Sequence, residues 1–84
     1  MKVLEAPERV EYRASDSLFG RAVRMRVPQT LVITGGVGKF VSFPLHTDLL
    51  AADYYFLGGH YNELDDDQVT AITNAGFGDY VKDV

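Results

Sequence analysis

A chain of 84 residues is one small domain, and at this size folding removes only ~60–65% of the unfolded chain's surface from water. Its 46% hydrophobic content, five Tyr, five Phe and absence of cysteine are those of a globular core; they exclude disulfides, thiolate metal sites and the staple of small secreted domains. The net charge of −4 is unevenly spread: residues 1–42 carry seven Lys/Arg against four Asp/Glu, and residues 43–84 one Lys against eight Asp/Glu. Such asymmetry suits either a nucleic-acid arm or halves that pair within one fold or between copies, and Glu5, Glu8, Glu11 and Asp16 interrupt the basic half in favour of pairing. No apolar run approaches the ~20 residues of a membrane span. The opening MKVLEAPERVEY lacks the apolar core of a signal peptide, so synthesis in the cytoplasm is expected.

Met1 to Pro7 reads as an extended arm, because Pro7 donates no ladder hydrogen bond and nothing before it is periodic. Arg9 to Ala14 alternates polar with apolar residues, the two-residue period of a half-buried strand. Ser15-Asp16-Ser17 is a turn cluster. Leu18 to Val27 is a second extended stretch, with a bulge expected at Gly20 and with Val23, Met25 and Val27 alternating with Ala22, Arg24 and Arg26. One face of it is apolar and the other basic. Pro28-Gln29 breaks the run. Thr30 to Thr34 is β-branched and nearly all apolar, which predicts the most buried strand. Gly35-Gly36 then turns the chain into Val37 to Phe43, which places Val37, Lys39, Val41 and Phe43 on one face and Phe40 on the other, giving a hairpin that Pro44 ends. Asp48 to Asp53 fits a short helical turn, and Tyr55 to Leu57 a brief strand before a turn at Gly58-Gly59.

Leu64 to Phe77 carries the strongest local signal. Asp65 is placed as a helix N-cap and Gln68, three residues on, completes a capping box, with Leu64 and Val69 spaced for a hydrophobic staple. Asp66 and Asp67 lie where the helix dipole is positive. Gly76 can stop the helix in the left-handed conformation, and Phe77 can fold back on Ile72. The spacing predicts a helix over 66–75, followed by a short tail, Gly78 to Val84.

No catalytic constellation emerges. Gly35-Gly36-Val37-Gly38-Lys39 resembles a phosphate loop only superficially, since Ile33 and Phe40 stand where that motif needs Gly and Ser/Thr, and a strand follows instead of a helix. His46, Asp48 and His60 make no recognised metal spacing. Asp65-Asp66-Asp67 lacks the central Gly and terminal Glu of a calcium loop and is explained by capping. Ser15, Ser17 and Ser42 have no nucleophile-elbow context. The chain is therefore expected to be non-enzymatic, without metal or cofactor. Arg24 and Arg26, with Arg9 and Arg13 on a neighbouring strand, are candidates for a basic face able to track a phosphate backbone. Aromatic residues do not interleave with them as a single-strand platform requires, so a solvated or partner-facing sheet surface is the preferred reading.

The segments ITGGVGKF (33–40), HTDLLAADYYFLGG (46–59) and ELDDDQVTAITNAGFGDYV (63–81) together resemble the small head-associated virion proteins of tailed bacteriophages. In those proteins a Gly-rich hairpin, a Thr-Asp turn opening a short amphipathic piece, and a C-terminal helix ending in Ala-Gly-aromatic-Gly follow one another. The resemblance spans about residues 31–81 and carries no catalytic residues across. It implies a structural virion protein bound to the major capsid protein, as a decoration (minor capsid) protein, or alternatively a head-completion or head–tail connector component, located in the phage head after synthesis in the host. Two readings outside the virion compete with it: a small nucleic-acid-binding or regulatory module using Arg24 and Arg26, and a free-standing bacterial interaction domain.

The expected fold is α+β: a small antiparallel sheet or partly open barrel over 8–84, with one capped C-terminal helix and an extended arm over 1–7. Core candidates are Val10, Tyr12, Val23, Met25, Leu31, Ile33, Phe40, Leu50, Phe56, Val69, Ile72 and Phe77. The expected partners are the major capsid protein or further copies of the chain, in a homo-oligomer or a larger assembly. The expected contacts are Val3 and Leu4 of the arm and Arg9, Arg13, Arg24 and Arg26.

Overall fold

The computed structural model describes residues 1–14 and 22–84. Eight strands are described: β1 (Lys2–Leu4), β2 (Glu8–Ala14), β3 (Ala22–Pro28), β4 (Thr30–Thr34), β5 (Val37–Val41), β6 (Tyr54–Phe56), β7 (Asn62–Leu64) and β8 (Val81–Asp83). Two helices, α1 (His46–Ala51) and α2 (Asp66–Asn74), and a 3-10 turn at Gly78–Tyr80 complete the chain. The strands form three antiparallel sheets, in the orders β7-β1-β8, β2-β3 and β5-β4-β6. The fold is α+β, with no closed barrel among the described residues. The expected turn at Ser15–Ser17, the stretch from Leu18 to Arg21 and the bulge at Gly20 lie outside the described residues.

The core is built on β4. Leu31 and Ile33 point to one face of the sheet, where their ladder partners are Phe40 and Gly38 on one side and Phe56 and Tyr54 on the other. Ile72 of α2 and Leu4 of β1 close over them, and Leu31, Ile33 and Ile72 are the largest fully buried side chains. Phe40, Phe77 and Tyr80 seal one edge. Phe40 meets Phe77 at 5.2 Å and Tyr80 at 5.0 Å between ring centroids, both edge-to-face, the arrangement that the ring quadrupoles favour.

Local chemistry explains α2 from end to end. The Asp65 carboxylate accepts from the Gln68 amide at 2.8 Å, and the Gln68 side-chain oxygen accepts from the Asp65 amide at 2.9 Å. At the C-terminus Gly76 takes φ +90°, Gly76 N–H donates to Thr73 O and Phe77 N–H to Ile72 O, a complete Schellman closure. Asp65→Ala is expected to lower stability by about 1 kcal/mol. Urea denaturation checks this, and an unchanged midpoint would mean the cap contributes nothing to α2.

Residues 1–7 are not a free arm. Lys2–Leu4 is the middle strand of its sheet, pairing with β7 on one edge and β8 on the other. Val3 and Leu4 are buried, Leu4 within the core cluster. Two ladders and apolar burial offset the ~1–2 kcal/mol per residue that ordering the backbone costs, so this segment needs no second molecule to order it. The stretch read as a tail is likewise structured, as the 3-10 turn and β8. Lys2 Nζ reaches Asp83 Oδ2 at 2.6 Å, and the hydrogen bond to that ammonium holds the Asp83 carboxyl below its ordinary value.

The remaining differences are smaller. The short helix begins at His46 and ends at Ala51, the following strand starts one residue early at Tyr54, and β5 stops at Val41. Gly35 and Gly36 take φ +59° and +76°, the pair of positive values that a two-residue hairpin turn requires.

Candidate interaction surface

The β2–β3 ribbon projects from this body. Seven residues per strand at about 3.4 Å each make it about 24 Å long. The molecule measures 50 × 29 × 18 Å, and its radius of gyration of 14.9 Å exceeds the about 12 Å of a compact chain of this length. Hydrogen bonds tie the ribbon to the body from its base as far as Glu11. Buried Gln29 donates through Nε2 to Val27 O at 2.9 Å and to Ser42 Oγ at 3.1 Å. The Ser42 hydroxyl in turn donates to Glu11 Oε1 at 2.7 Å, and Arg9 Nε stands 3.4 Å from that same oxygen.

Register decides what the ribbon shows. Val10 lies opposite Arg26 and Tyr12 opposite Arg24, so these four share one face. Arg9 lies opposite Val27 and Glu11 opposite Met25 on the other. The single basic face expected from Arg9, Arg13, Arg24 and Arg26 does not form. Arg9 and Arg13 stand opposite Val27 and Val23, one ladder step out of phase with Arg24 and Arg26. Each face instead mixes apolar residues from one strand with charged residues from the other.

Val10, Tyr12, Val23 and Met25 are therefore surface residues and not core; Tyr12 is 69% exposed and Val23 45%. No second layer of described residues covers the ribbon, and a two-stranded ribbon has too little area to bury either face by itself. Arg24 and Arg26 are exposed and have no ion-pair partner among the described residues. Of the six expected contact residues, Val3 and Leu4 are enclosed in the body, and Arg9 is held by Glu11.

A second surface went unread in the sequence. The face of the β5-β4-β6 sheet opposite the core carries Val32, Thr34, Val37 and Lys39, and α1 lies against it through Asp48 and Ala51, leaving an open groove of about 390 Å³ between them. Its wall residue Val37 is 72% exposed. Nearby α1 buries none of its residues, and Leu50, expected in the core, is 72% exposed on it. The sequence signal was present: HTDLLA puts its leucines side by side, without the i, i+3, i+4 stripe of a helix that packs.

The remaining sequence motifs have local explanations. Gly35-Gly36 is a hairpin turn leading into a strand. His46 opens α1 and His60 follows the turn at Gly58-Gly59. No group of three His, Asp or Glu able to hold a metal ion occurs among the described residues. No described helix is long and apolar enough to cross a membrane. Comparison with protein-family models, curated proteins and solved structures finds no match.

Proposed function

We infer that the chain is a non-enzymatic structural virion protein that binds the major capsid protein and decorates or stabilises a phage head. The observation that carries this reading is the ribbon: a projection hydrogen-bonded to the body, with apolar side chains exposed on both faces, Val10 and Tyr12 on one and Val23 and Met25 on the other. Exposed apolar surface of this kind marks contact with another macromolecule, and a chain of this size gains stability by assembling. The resemblance of residues 31–81 supplies the class of assembly. A connector position within the head would use the same surface.

The experiment mixes purified protein with capsids that lack it and sediments them. Wild type is expected to co-sediment, and Tyr12→Ala with Met25→Ala to reduce the bound fraction at least about tenfold, as losing interface anchors does. Failure of the wild type to bind capsids would overturn the virion reading. One observation favours a second reading, a nucleic-acid ribbon: Arg24 and Arg26 lie together, unpaired among the described residues, beside Tyr12. Anisotropy titration is expected to show no micromolar affinity for duplex or single-stranded DNA at physiological salt. Affinity that falls steeply with salt would put that reading first.

A further inference from the structure

We propose that the Tyr12–Arg24 face of the ribbon docks into the α1 groove of a second copy, so that copies join head to tail. The proposal rests on the assembly reading above and names a partner for the ribbon, namely the chain itself.

Charge argues for this occupant. The two ribbon strands, residues 8–14 and 22–28, carry four Arg against Glu8 and Glu11, a net of +2, whereas residues 29–84 carry two Lys against eight Asp/Glu, a net of −6. The ribbon is thus a basic projection on an acidic body, and the surface nearest at hand with the complementary potential belongs to another copy. Complementary potentials of this kind raise the rate of encounter and fix orientation.

Local chemistry selects the groove. Val37 and Ala51, exposed above buried Val32, offer apolar surface, and Asp48 and Lys39 supply one charge of each sign. Tyr12 and Arg24 are directly opposed on the ladder, which sets their Cβ atoms about 5 Å apart. The Tyr12 ring fills the apolar part of the groove, where the Lys39 ammonium can lie over it, and Arg24 meets Asp48. Arg26, one pair nearer the base beside Val10, faces the acidic surroundings of the groove, to which exposed Asp53 at the β4–β5 turn contributes.

Donor and acceptor surfaces differ, so the contact is heterologous. Repetition then gives a ring where the rotation closes and an open filament where it does not. A copy lacking one of the two surfaces can end a chain but cannot extend it.

Sedimentation velocity on the protein alone tests this. Wild type is expected to show mass that rises with concentration and falls at high salt, since exposed charges are screened within about 10 Å at 0.1 M. Arg24→Ala with Arg26→Ala removes the ribbon's charge complementarity, and Val37→Lys with Asp48→Lys that of the groove. All four positions are exposed, and circular dichroism confirms that each variant folds. Each double variant alone is expected to lose at least about 30-fold in association constant, the effect of a hot-spot residue. Mixed in equal amounts they should form dimers and nothing larger, because one intact ribbon meets one intact groove. Wild type that stays monomeric at millimolar concentration in low salt overturns the proposal. So does a mixture that regains no dimer, or association seen only with DNA or only with capsid protein. Capsid co-sedimentation is scored separately: self-association without capsid binding sinks the virion reading alone, and capsid binding by a strict monomer sinks this proposal alone.

Discussion

Ile72→Ala is expected to cost about 2–5 kcal/mol, the range for truncating a fully buried aliphatic side chain. Ile72 has no exposed surface and belongs to one cluster with Leu4 of β1, Leu31 and Ile33 of β4 and Phe56 of β6. It is the fully buried side chain of α2, so the cavity left by truncation is walled by side chains of three strands, β1, β4 and β6. A domain of this length has a total stability of roughly 4–13 kcal/mol. At the low end of that range the variant is partly unfolded at room temperature, and at the high end it stays folded with a lowered urea midpoint. Ile72→Val removes one methylene and should cost about 1 kcal/mol. Thermal and urea denaturation of the pair give the comparison. A loss under about 1 kcal/mol for the alanine variant, well below the range for such a truncation, would mean that α2 does not seal the core.

The parts of the fold legible in the sequence are those whose cause is local. The capping box of Asp65 and Gln68, the Schellman closure at Gly76 and the Gly35-Gly36 turn each involve residues close together in the chain. The burial of β4 follows from an unbroken apolar run. The β7-β1-β8 sheet was illegible for the opposite reason. Its strands are three residues long, too short for a period, and Lys2 pairs with Leu64 and Asp83, at the far end of the chain. Read without those partners, Val3 and Leu4 could only be an arm.

The interaction surface was half legible. Alternation in Arg9–Ala14 and in Val23–Val27 identified two strands correctly, but alternation says only that two faces differ. Whether a second layer covers either face depends on the rest of the chain, and the described residues place no such layer over the ribbon. Register was equally out of reach. Shifting β2 against β3 by one residue would place Arg9 and Arg13 with Arg24 and Arg26 on a single face, and only the observed pairing, Tyr12 with Arg24, separates them.

Gly58→Ala is expected to cost about 3 kcal/mol, the upper part of the range for overpacking, and to loosen the ribbon at its base. Gly58 sits in the turn after β6, where its N–H donates to Thr30 Oγ1 at 2.9 Å. A Cβ there would stand 2.7 Å from both the carbonyl carbon and oxygen of Pro28 and 2.8 Å from the carbonyl carbon of Gln29. These are backbone atoms, so no rotamer change relieves the contact, and the Pro28 ring holds φ near its fixed value. The cause is close approach and not backbone conformation, since Gly58 is not among the glycines with positive φ. Relief requires the β3–β4 bend and the Gly58-Gly59 turn to part, which pulls Gln29 away from Val27 and Ser42. Gly59→Ala is the control. Its φ of +77° carries strain, about 1 kcal/mol for a non-glycine residue, but the nearest atom to its Cβ is Pro28 Cγ at 3.5 Å. The expected order of stability is wild type, Gly59→Ala, Gly58→Ala, read from urea midpoints. Faster amide exchange at Gln29, whose N–H donates to Pro7 O, is expected in the Gly58 variant alone. Equal midpoints for the two alanine variants would show that the bend does not rest on this turn, and that the ribbon is held by the Gln29–Ser42–Glu11 chain without it.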